Sequence, residues 1–460
     1  MRFSAATALP VVVALCGCHV GPDYQRPAMR VPPAWEQAPP GALAAWPAPD
    51  WWTAFGSPQL DALMAQARAG NTDVAAAAAR VRQADAQARV AGAPLLPSLA
   101  AQTSVGPERL LNNTGRERHY TTVGGVLQAS YEIDFWGKNQ ATLEAAQAGA
   151  TASRYQQEVV WLTTSTSVAN TYFAILALQD RIRIARRSQA GARHDLDDLV
   201  AQERQGIVAH MSVVQQQAVV ASVATAIPPL QGQSVQLRDA LALLVGALPE
   251  QLASADGSLA ALSPPAVLAG VPSELLSRRP DVQAAEAQLV AANANIRVAR
   301  AQFFPSFSLT ANGGLVSLAL AHSLAGPLGT YQLLSSVTQP IFEGGALRGQ
   351  LDSAKAAYQV LLLGTYRKSV LSAFGDVQTA LAAVQAAADE QAAQQASLSL
   401  AQQSSGLSAG AFRGGTGTIL AVLLSETSLY TIEDTLAQTR LARLQSLVGL
   451  FGALGGGWKA

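Results

Sequence analysis

The sequence predicts a duplicated α+β fold in which very long helices and four short strands come from two copies of one unit. Three observations predict it. First, residues 73–99 read DVAAAAARVRQADAQARVAGAPLLPSL and residues 281–307 read DVQAAEAQLVAANANIRVARAQFFPSF, with 13 of 27 positions identical at an offset of 208. The register continues, with Ile133 on Ile341 and Gly137 on Gly345, then slips by one, so that Gly206 falls on Gly415 and Val213 on Val422. Second, nothing breaks a helix from Lys138 to about Gln205, or from Leu347 to about Phe412. At about 1.5 Å per residue the first run is on the order of 100 Å long, beyond any globular domain. Third, period-two alternation recurs after each Pro-Ser pair. Two copies are too few for a solenoid. A duplicated unit this long suits a pseudo-symmetric wall element of a larger assembly.

Bulk composition narrows the choice further. The 460 residues carry 31 basic and 31 acidic side chains, so no charge imbalance points to nucleic acid. Only 13% are charged, yet beyond the first few positions no run of 18 apolar residues exists to make a membrane-spanning helix. The apolar character is spread along the chain as Ala and Val.

The elements are justified in order as follows. Residues 1–17 read as a signal peptide, with Arg2 followed by an apolar stretch to Leu15. Leu15-Cys16-Gly17-Cys18 resembles a bacterial lipobox, so Cys18 is expected to carry a diacylglycerol and an acyl chain as the only prosthetic groups, leaving no disulfide. His19, where an Asp would resemble an inner-membrane retention signal, favours outer-membrane sorting. Residues 18–56 read as an extended arm that packs through Trp35, Trp46, Trp51 and Trp52.

The first repeat is expected over 57–247. Ser57-Pro58 caps a helix to about Ala69, and a second helix runs from Asn71 or Thr72 to about Ala91. Alternation at Leu99, Ala101, Thr103 and Val105, and again from Thr121 to Ile133, predicts strands at about 97–106 and 120–134, joined by a polar loop from Gly106 to His119. The long helix carries a thin apolar seam (Val168, Tyr172, Ile175, Ile182) among Ala, Ser, Gln and Thr, which favours a hollow barrel of helices over a solid rod. It stops at Gly206, and a return helix follows, which Pro228-Pro229 should interrupt and kink.

Residues 248–272 form a Pro- and Ser-rich connector. The second repeat is expected over 273–452, with Pro280-Asp281 at a helix start, strands at about 305–314 and 330–342, a long helix ending at Gly414-Gly415 and a return helix from about Thr418. A tail follows at 453–460. Four strands cannot close a membrane barrel and an open sheet edge is forbidden in lipid, so spanning strands of about ten residues must be pooled by several chains. A four-stranded soluble sheet packed on helices satisfies the alternation equally.

Several motifs stand in a set order: the lipobox, Cys18-His19-Val20-Gly21-Pro22-Asp23-Tyr24 with Pro27, Asp134-Phe135-Trp136-Gly137-Lys138, Arg278-Arg279-Pro280-Asp281-Val282 with Ala284-Ala285-Glu286-Ala287, Phe304-Pro305, and Ala453-Leu454-Gly455-Gly456-Gly457-Trp458. Over almost the full chain this resembles the TolC-like outer-membrane efflux lipoproteins of the NodT type. The resemblance implies a homotrimer in the bacterial outer membrane, anchored by lipid, with four strands per chain in a twelve-stranded barrel continued by an α-helical periplasmic tunnel. It further implies a periplasmic adaptor and an inner-membrane transporter of the resistance-nodulation-division class as partners, with the channel acting as a passive duct for small molecules. Gating and adaptor docking are expected at the helix tips, at Gln205, Gly206 and Ile207 and at Arg413, Gly414, Gly415 and Thr416. Glu203, Arg204 and Glu426, with Arg413, are candidates for tip salt links. Some relatives carry an aspartate ring just past the second tip; here the matching positions are Ala421 and Leu424, which puts such a carboxylate gate in doubt.

An enzyme is not expected. His19, His119, His194, His210 and His322 show no metal-ligand spacing, no Ser sits in a nucleophile elbow, and no Gly-rich loop has the phosphate-binding pattern. Arg278, Arg279, Pro280 and Asp281 read as a structural motif between helices, and Asp281 and Glu286 as helix-start and solvent charges. A duct for type I protein secretion and a non-channel coiled-coil periplasmic lipoprotein are the alternatives.

Overall fold

The computed structural model describes residues 20–36, 46–111, 115, 117–252, 256–266, 270–317 and 328–458. The signal peptide, Cys16, Cys18 and His19 lie outside these residues, as do parts of the connector and of the segment between the last two strands. The described helices are α1 (Pro58–Gly70), α2 (Thr72–Gly92), α3 (Lys138–Arg204), α4 (His210–Val245), α5 (Pro272–Arg278), α6 (Pro280–Ala301), α7 (Ala346–Val360), α8 (Lys368–Arg413) and α9 (Ile419–Ala453). Four strands join them: β1 (Ser98–Leu111), β2 (Glu117–Ile133), β3 (Ser306–Ser317) and β4 (Leu328–Thr338).

The chain divides into two compact units, and each repeat contributes to both. One contains the described parts of Met1–Pro27, Arg82–Ala152 and Ala285–Tyr366; the other contains those of Ala28–Val81, Ser153–Ala284 and Arg367–Ala460. The first unit holds an antiparallel sheet in the order β1-β2-β3-β4. Its two hairpins are copies of each other. Ser98 pairs with Ser130 and Ser306 with Thr338, so both partners shift by the same 208 positions.

Both hairpins depart from their expected limits for reasons of backbone chemistry. The polar segment from Gly106 to His119 is mostly ladder, because pairing continues to Leu111 opposite Glu117. Pro107 lies within this ladder, opposite Thr121. Arg109 pairs with Glu117 across the two strands. β4 stops at Thr338 rather than near residue 342. Pro340 has no N–H to donate beyond that point.

The second unit is helical, and capping explains where its helices begin. Ser57 Oγ accepts from Leu60 N at 3.2 Å, with Pro58 at the first helical position. Asn71 Oδ1 accepts from the N–H groups of Asp73 and Val74 at 2.9 and 3.0 Å, and its amide donates to Leu244 O at 2.8 Å. One side chain thus starts α2 and ties it to the end of α4. The arm expected to pack through its indoles does so. Trp51 stacks on Phe451 with centroids 4.9 Å apart, Phe55 meets Phe173 at 5.0 Å, and both Trp51 and Phe55 lie in a core shared with Leu60, Met64, Val168, Ile175 and Val448. Arg181 grips Asp434 through two bonds of 2.7 and 3.1 Å, fixing α3 against α9 within this unit.

Two helix expectations are corrected. Pro228 and Pro229 do not end the return helix, since α4 is helical from His210 to Val245. The carbonyls of Ala224 and Thr225 simply go without backbone donors. The second long helix is interrupted instead by a π-helical stretch, Leu361–Arg367, between α7 and α8. A π-turn accommodates one extra residue in a helix. The copies slip by one position between Gly345 and Gly415, so the π-turn accounts for the insertion without breaking the helix.

Trp51→Ala should lower stability by about 3–5 kcal/mol, as large aromatic truncations in cores do. Thermal unfolding in detergent, followed by circular dichroism, checks this; a change below 1 kcal/mol, an order-of-magnitude limit for exposed sites, would contradict the shared aromatic core.

Candidate functional site

The ladder registers sort the strand residues onto two faces, since side chains alternate across a strand. One face carries Leu99, Ala101, Thr103 and Val105 from β1, Val123, Leu127, Ala129 and Tyr131 from β2, Leu309, Ala311 and Leu315 from β3, and Tyr331, Leu333 and Val337 from β4. The opposite face carries mainly polar residues, Ser98, Gln102, Gln128, Ser130, Thr310, Asn312, Gln332 and Ser336, with Val126, Val316 and Leu334 among its apolar members. Polar partners meet directly across strands: Ser98 and Ser130 hydroxyls at 2.7 Å, Ser308 and Ser336 at 2.6 Å, and Gln102 with Gln128 at 3.3 Å. A sheet with one oily and one hydrophilic face, both exposed in the single chain, can separate lipid from water. A soluble sheet buried on helices would instead cover its apolar face.

Below the sheet, Asp134-Phe135-Trp136-Gly137-Lys138 forms the turn from β2 into α3. Asp134 Oδ2 accepts from Gln140 N at 2.8 Å and caps the helix. Gly137 supplies the positive φ of 72°, and Lys138 pairs with Glu132 at 2.5 Å. Trp136 donates to Pro305 O at 2.8 Å and stacks on Phe304 at 4.7 Å, while Phe135 lies 5.0 Å from Phe307. Aromatic rings clustered at one end of an apolar band are how barrel strands meet a membrane–water boundary.

Glu286 is not a solvent charge. Arg26 of the N-terminal arm binds both of its carboxylate oxygens, with Nε to Oε1 at 2.7 Å, and the Tyr24 hydroxyl donates to it at 3.4 Å. Asn293 adds a bond to Pro22 O at 3.0 Å, so α6 holds the arm at Pro22, Tyr24 and Arg26. Burial, reinforced by the Glu286 charge, pushes the Tyr24 hydroxyl well above the ordinary tyrosine range. In the helical unit, Arg279 is anchored by Asp281 at 2.7 and 2.9 Å, by Asp376 at 2.8 Å and by Ala453 O at 3.3 Å. Arg278 lies 5.5 Å above the Trp46 ring. Pro280 opens α6 immediately afterwards. This segment therefore fastens helix ends together.

Both tips are built as helix stops. Gly206, at φ 73°, donates to Glu203 O at 2.9 Å while Ile207 N reaches Gln202 O at 2.9 Å. Gly415, at φ 72°, donates to Phe412 O, and Thr416 and Gly417 both reach Ala411 O at 3.0 Å. Gly414 keeps right-handed geometry, with φ −77°. Thr418 Oγ1 then accepts from Ala421 N at 3.3 Å and starts α9. Apolar side chains project at both tips: Ile207 is 65% exposed, Met211 66%, Leu420 54% and Leu424 64%.

The charged residues near the tips have partners other than those expected. Glu203 meets His210 Nδ1 at 2.7 Å across the turn, and Arg413 Nε donates to Ala409 O at 3.2 Å. Among the described residues, Arg204 forms no ion pair with Glu203 or Glu426. Glu426 instead lies beside Asp195 of α3. Burial, and then the neighbouring Asp195, raise the Glu426 pKa from 4.5 to about 7. Burial likewise raises the Asp195 pKa, with Glu426 and His194 opposing and Asp198 adding to the shift. Asp195 gave no local signal in the sequence, because its partner lies in the other repeat.

The model of the family described as outer membrane efflux protein matches residues 63–247 and again 271–456. The pyoverdine export outer membrane protein OpmQ of Pseudomonas aeruginosa is 39% identical over 440 residues, covering 94% of this chain and 92% of that protein. The cation efflux system protein CusC of Escherichia coli K12 is 32% identical over 454 residues, covering 97% and 98%. Among solved structures, the open state of the Neisseria gonorrhoeae MtrE outer membrane channel superposes with a TM-score of 0.86 at 28% identity, covering 96% of this chain and 99% of that one.

The carboxyl pair carries a pH dependence of defined sign. A folded-state pKa raised to about 7 favours the protonated pair, so its stabilisation is complete below about 4.5 and is lost as pH rises through 7. The thermal midpoint of the protein should therefore fall relative to Glu426→Gln between those limits. Parallel pH profiles for the two proteins would contradict the shared proton.

Proposed function

The chain belongs to the outer membrane efflux protein family, as a TolC-like outer-membrane efflux channel and not an enzyme, and from that premise we propose how it is assembled and driven. Three copies pool their sheets into one twelve-stranded barrel in the outer membrane, and their helices form the periplasmic part of the duct. The observation that carries this reading is the two-faced sheet whose outer strands, β1 and β4, each have one unpaired edge in the chain. In hydrocarbon every such edge must find a partner, and further copies of the same sheet supply it.

Polar side chains such as Gln102, Gln128, Asn312 and Gln332 then line a wet passage, while Leu99, Leu127, Leu309 and Leu333 face lipid. The channel itself performs no chemistry. Cys18 carries the lipid anchor. A periplasmic adaptor docks on the tips at 205–207 and 413–416, where exposed Ile207 and Leu420 offer apolar contact. It opens the passage by binding the open form better than the closed one. An inner-membrane transporter of the resistance-nodulation-division class supplies energy and selects the cargo, which is a small molecule. The relatives' names span pyoverdine, cations and toluene, which fits a duct whose selectivity lies in the pump.

Substitution of neighbouring residues tests the assignment of faces. Leu127→Arg puts a charge toward lipid at a cost of about 2–4 kcal/mol near the bilayer midplane, whereas Gln128→Arg points into water. Heat-modifiable oligomer in outer-membrane fractions should drop sharply for the first and persist for the second. Equal tolerance of both would contradict a lipid-facing sheet.

A further inference from the structure

Arg297 lies in α6 with its side chain only 9% exposed. Its Nη1 donates to Glu144 Oε2 of α3 at 2.5 Å, and the other oxygen of Glu144 accepts from Gln140 Nε2 at 3.3 Å. Arg297 Nε and Nη2 are buried and have no partner among the described residues. Buried N–H groups without an acceptor are costly, the more so on a charged group. The acceptor they call for is a neutral one. Glu144 already balances the guanidinium charge, and a second buried anion would itself need neutralising. Carbonyl oxygens meet that requirement.

The N-terminal arm passes over this side chain. A Cβ at Gly21 would stand 2.7 Å from Arg297 Cγ, and the Gly21 φ of 137° is one that residues with a Cβ rarely adopt. Further along, Pro22 O accepts from Asn293, and Tyr24 and Arg26 bind Glu286. The arm therefore runs antiparallel to α6, its residue numbers falling toward the end of the helix. From Glu286 to Arg297 the helix rises about 16 Å, and the extended arm from Arg26 to Gly21 covers about the same length. The next residues toward the N-terminus lead to Cys18, about 10 Å further on. That span reaches both the Arg297 guanidinium and the end of α6 at Ala301. Phe304, just beyond, stacks on Trp136 in the aromatic cluster below the sheet.

We propose that Arg297 is the seat of the lipid anchor: its Nε–H and Nη2–H donate to carbonyl oxygens of the acyl groups on Cys18. This deepens, and rests on, the reading of Cys18 as the lipidated residue. An acylated cysteine offers an amide carbonyl and the ester carbonyls of its diacylglycerol, so both donors find acceptors at one end of the chain. An unacylated N-terminus offers a charged amine instead, which the guanidinium repels. The seat also sets depth. Acyl carbonyls lie where headgroups give way to hydrocarbon, and Arg297 stands about one helical turn from the end of α6, short of the aromatic cluster that marks the same boundary. The acyl chains then enter the bilayer next to the sheet and not at the end of a loose tether.

Amide hydrogen exchange of residues 20–27 in the full-length protein reads this seat. Acylated chains are compared with unacylated ones, in which Cys18→Ser is exported behind an ordinary secretory signal peptide. Each is made with Arg297 in place and with Arg297→Gln plus Glu144→Gln, which removes the donors together with the charge they would leave unpaired. With Arg297 present, acylation should slow exchange in the arm about tenfold, the worth of about one hydrogen bond. Without Arg297 it should make no difference. Gly21→Ala keeps the Arg297–Glu144 pair but pushes the arm off the side chain, and should abolish the difference too. It carries the test if exchange in α3 shows that the double variant has failed to fold.

Acyl-dependent protection of the same size in every background, or none in any, would overturn the proposal. Protection that needs Arg297 but not the acyl groups would overturn it as well, and would give the two donors to peptide carbonyls or water. The mass of the N-terminal peptide separates these results from failure of the underlying reading. A wild-type chain with no acyl groups on Cys18 removes the anchor and its seat together.

Discussion

The structure depends on one constraint: backbone N–H and C=O groups have no solvent partner in hydrocarbon. Helices meet it internally and a sheet meets it only by closing. This chain brings four strands with one apolar and one polar face, and it leaves the outer edges of β1 and β4 unpaired. Everything else follows from how those edges are completed. The duplication places two copies of one hairpin side by side in the sheet.

The helical unit solves a different problem. Long helices rich in Ala, Ser, Gln and Thr have little greasy surface to bury, so their mutual position rests on a compact aromatic core and a few charged clamps. Trp51, Phe55, Phe173 and Phe451 form the core, and the Arg181–Asp434 and Arg279–Asp281–Asp376 contacts hold helix faces together. Toward the tips such fixtures give way to glycine stops, a Glu203–His210 contact and the Asp195–Glu426 carboxyl pair, in which burial raises both pKa values.

Much of this was legible in the sequence, and what escaped shares a cause. Alternation at Leu99–Val105 and Val123–Ile133 marked the strands because side-chain direction repeats every two residues. Gly206 and Gly415 marked the tips because few other residues adopt a left-handed turn. The lengthened β1 was missed because Gly106 and Pro107 read as loop. The one-position slip between repeats was visible, but its absorption as a π-turn at 361–367 was not. Glu286 and Asp195 were misread or missed because their partners, Arg26 and Glu426, are far away in the chain, and charge pairing at long range leaves no periodic trace.

The measurement that bears most directly on the pooled barrel is the native mass of the mature, lipidated protein released from detergent. The account predicts a species of three chains, each carrying acyl modification on its N-terminal cysteine. A monomer or a dimer would contradict closure by three copies and with it the channel architecture built on them.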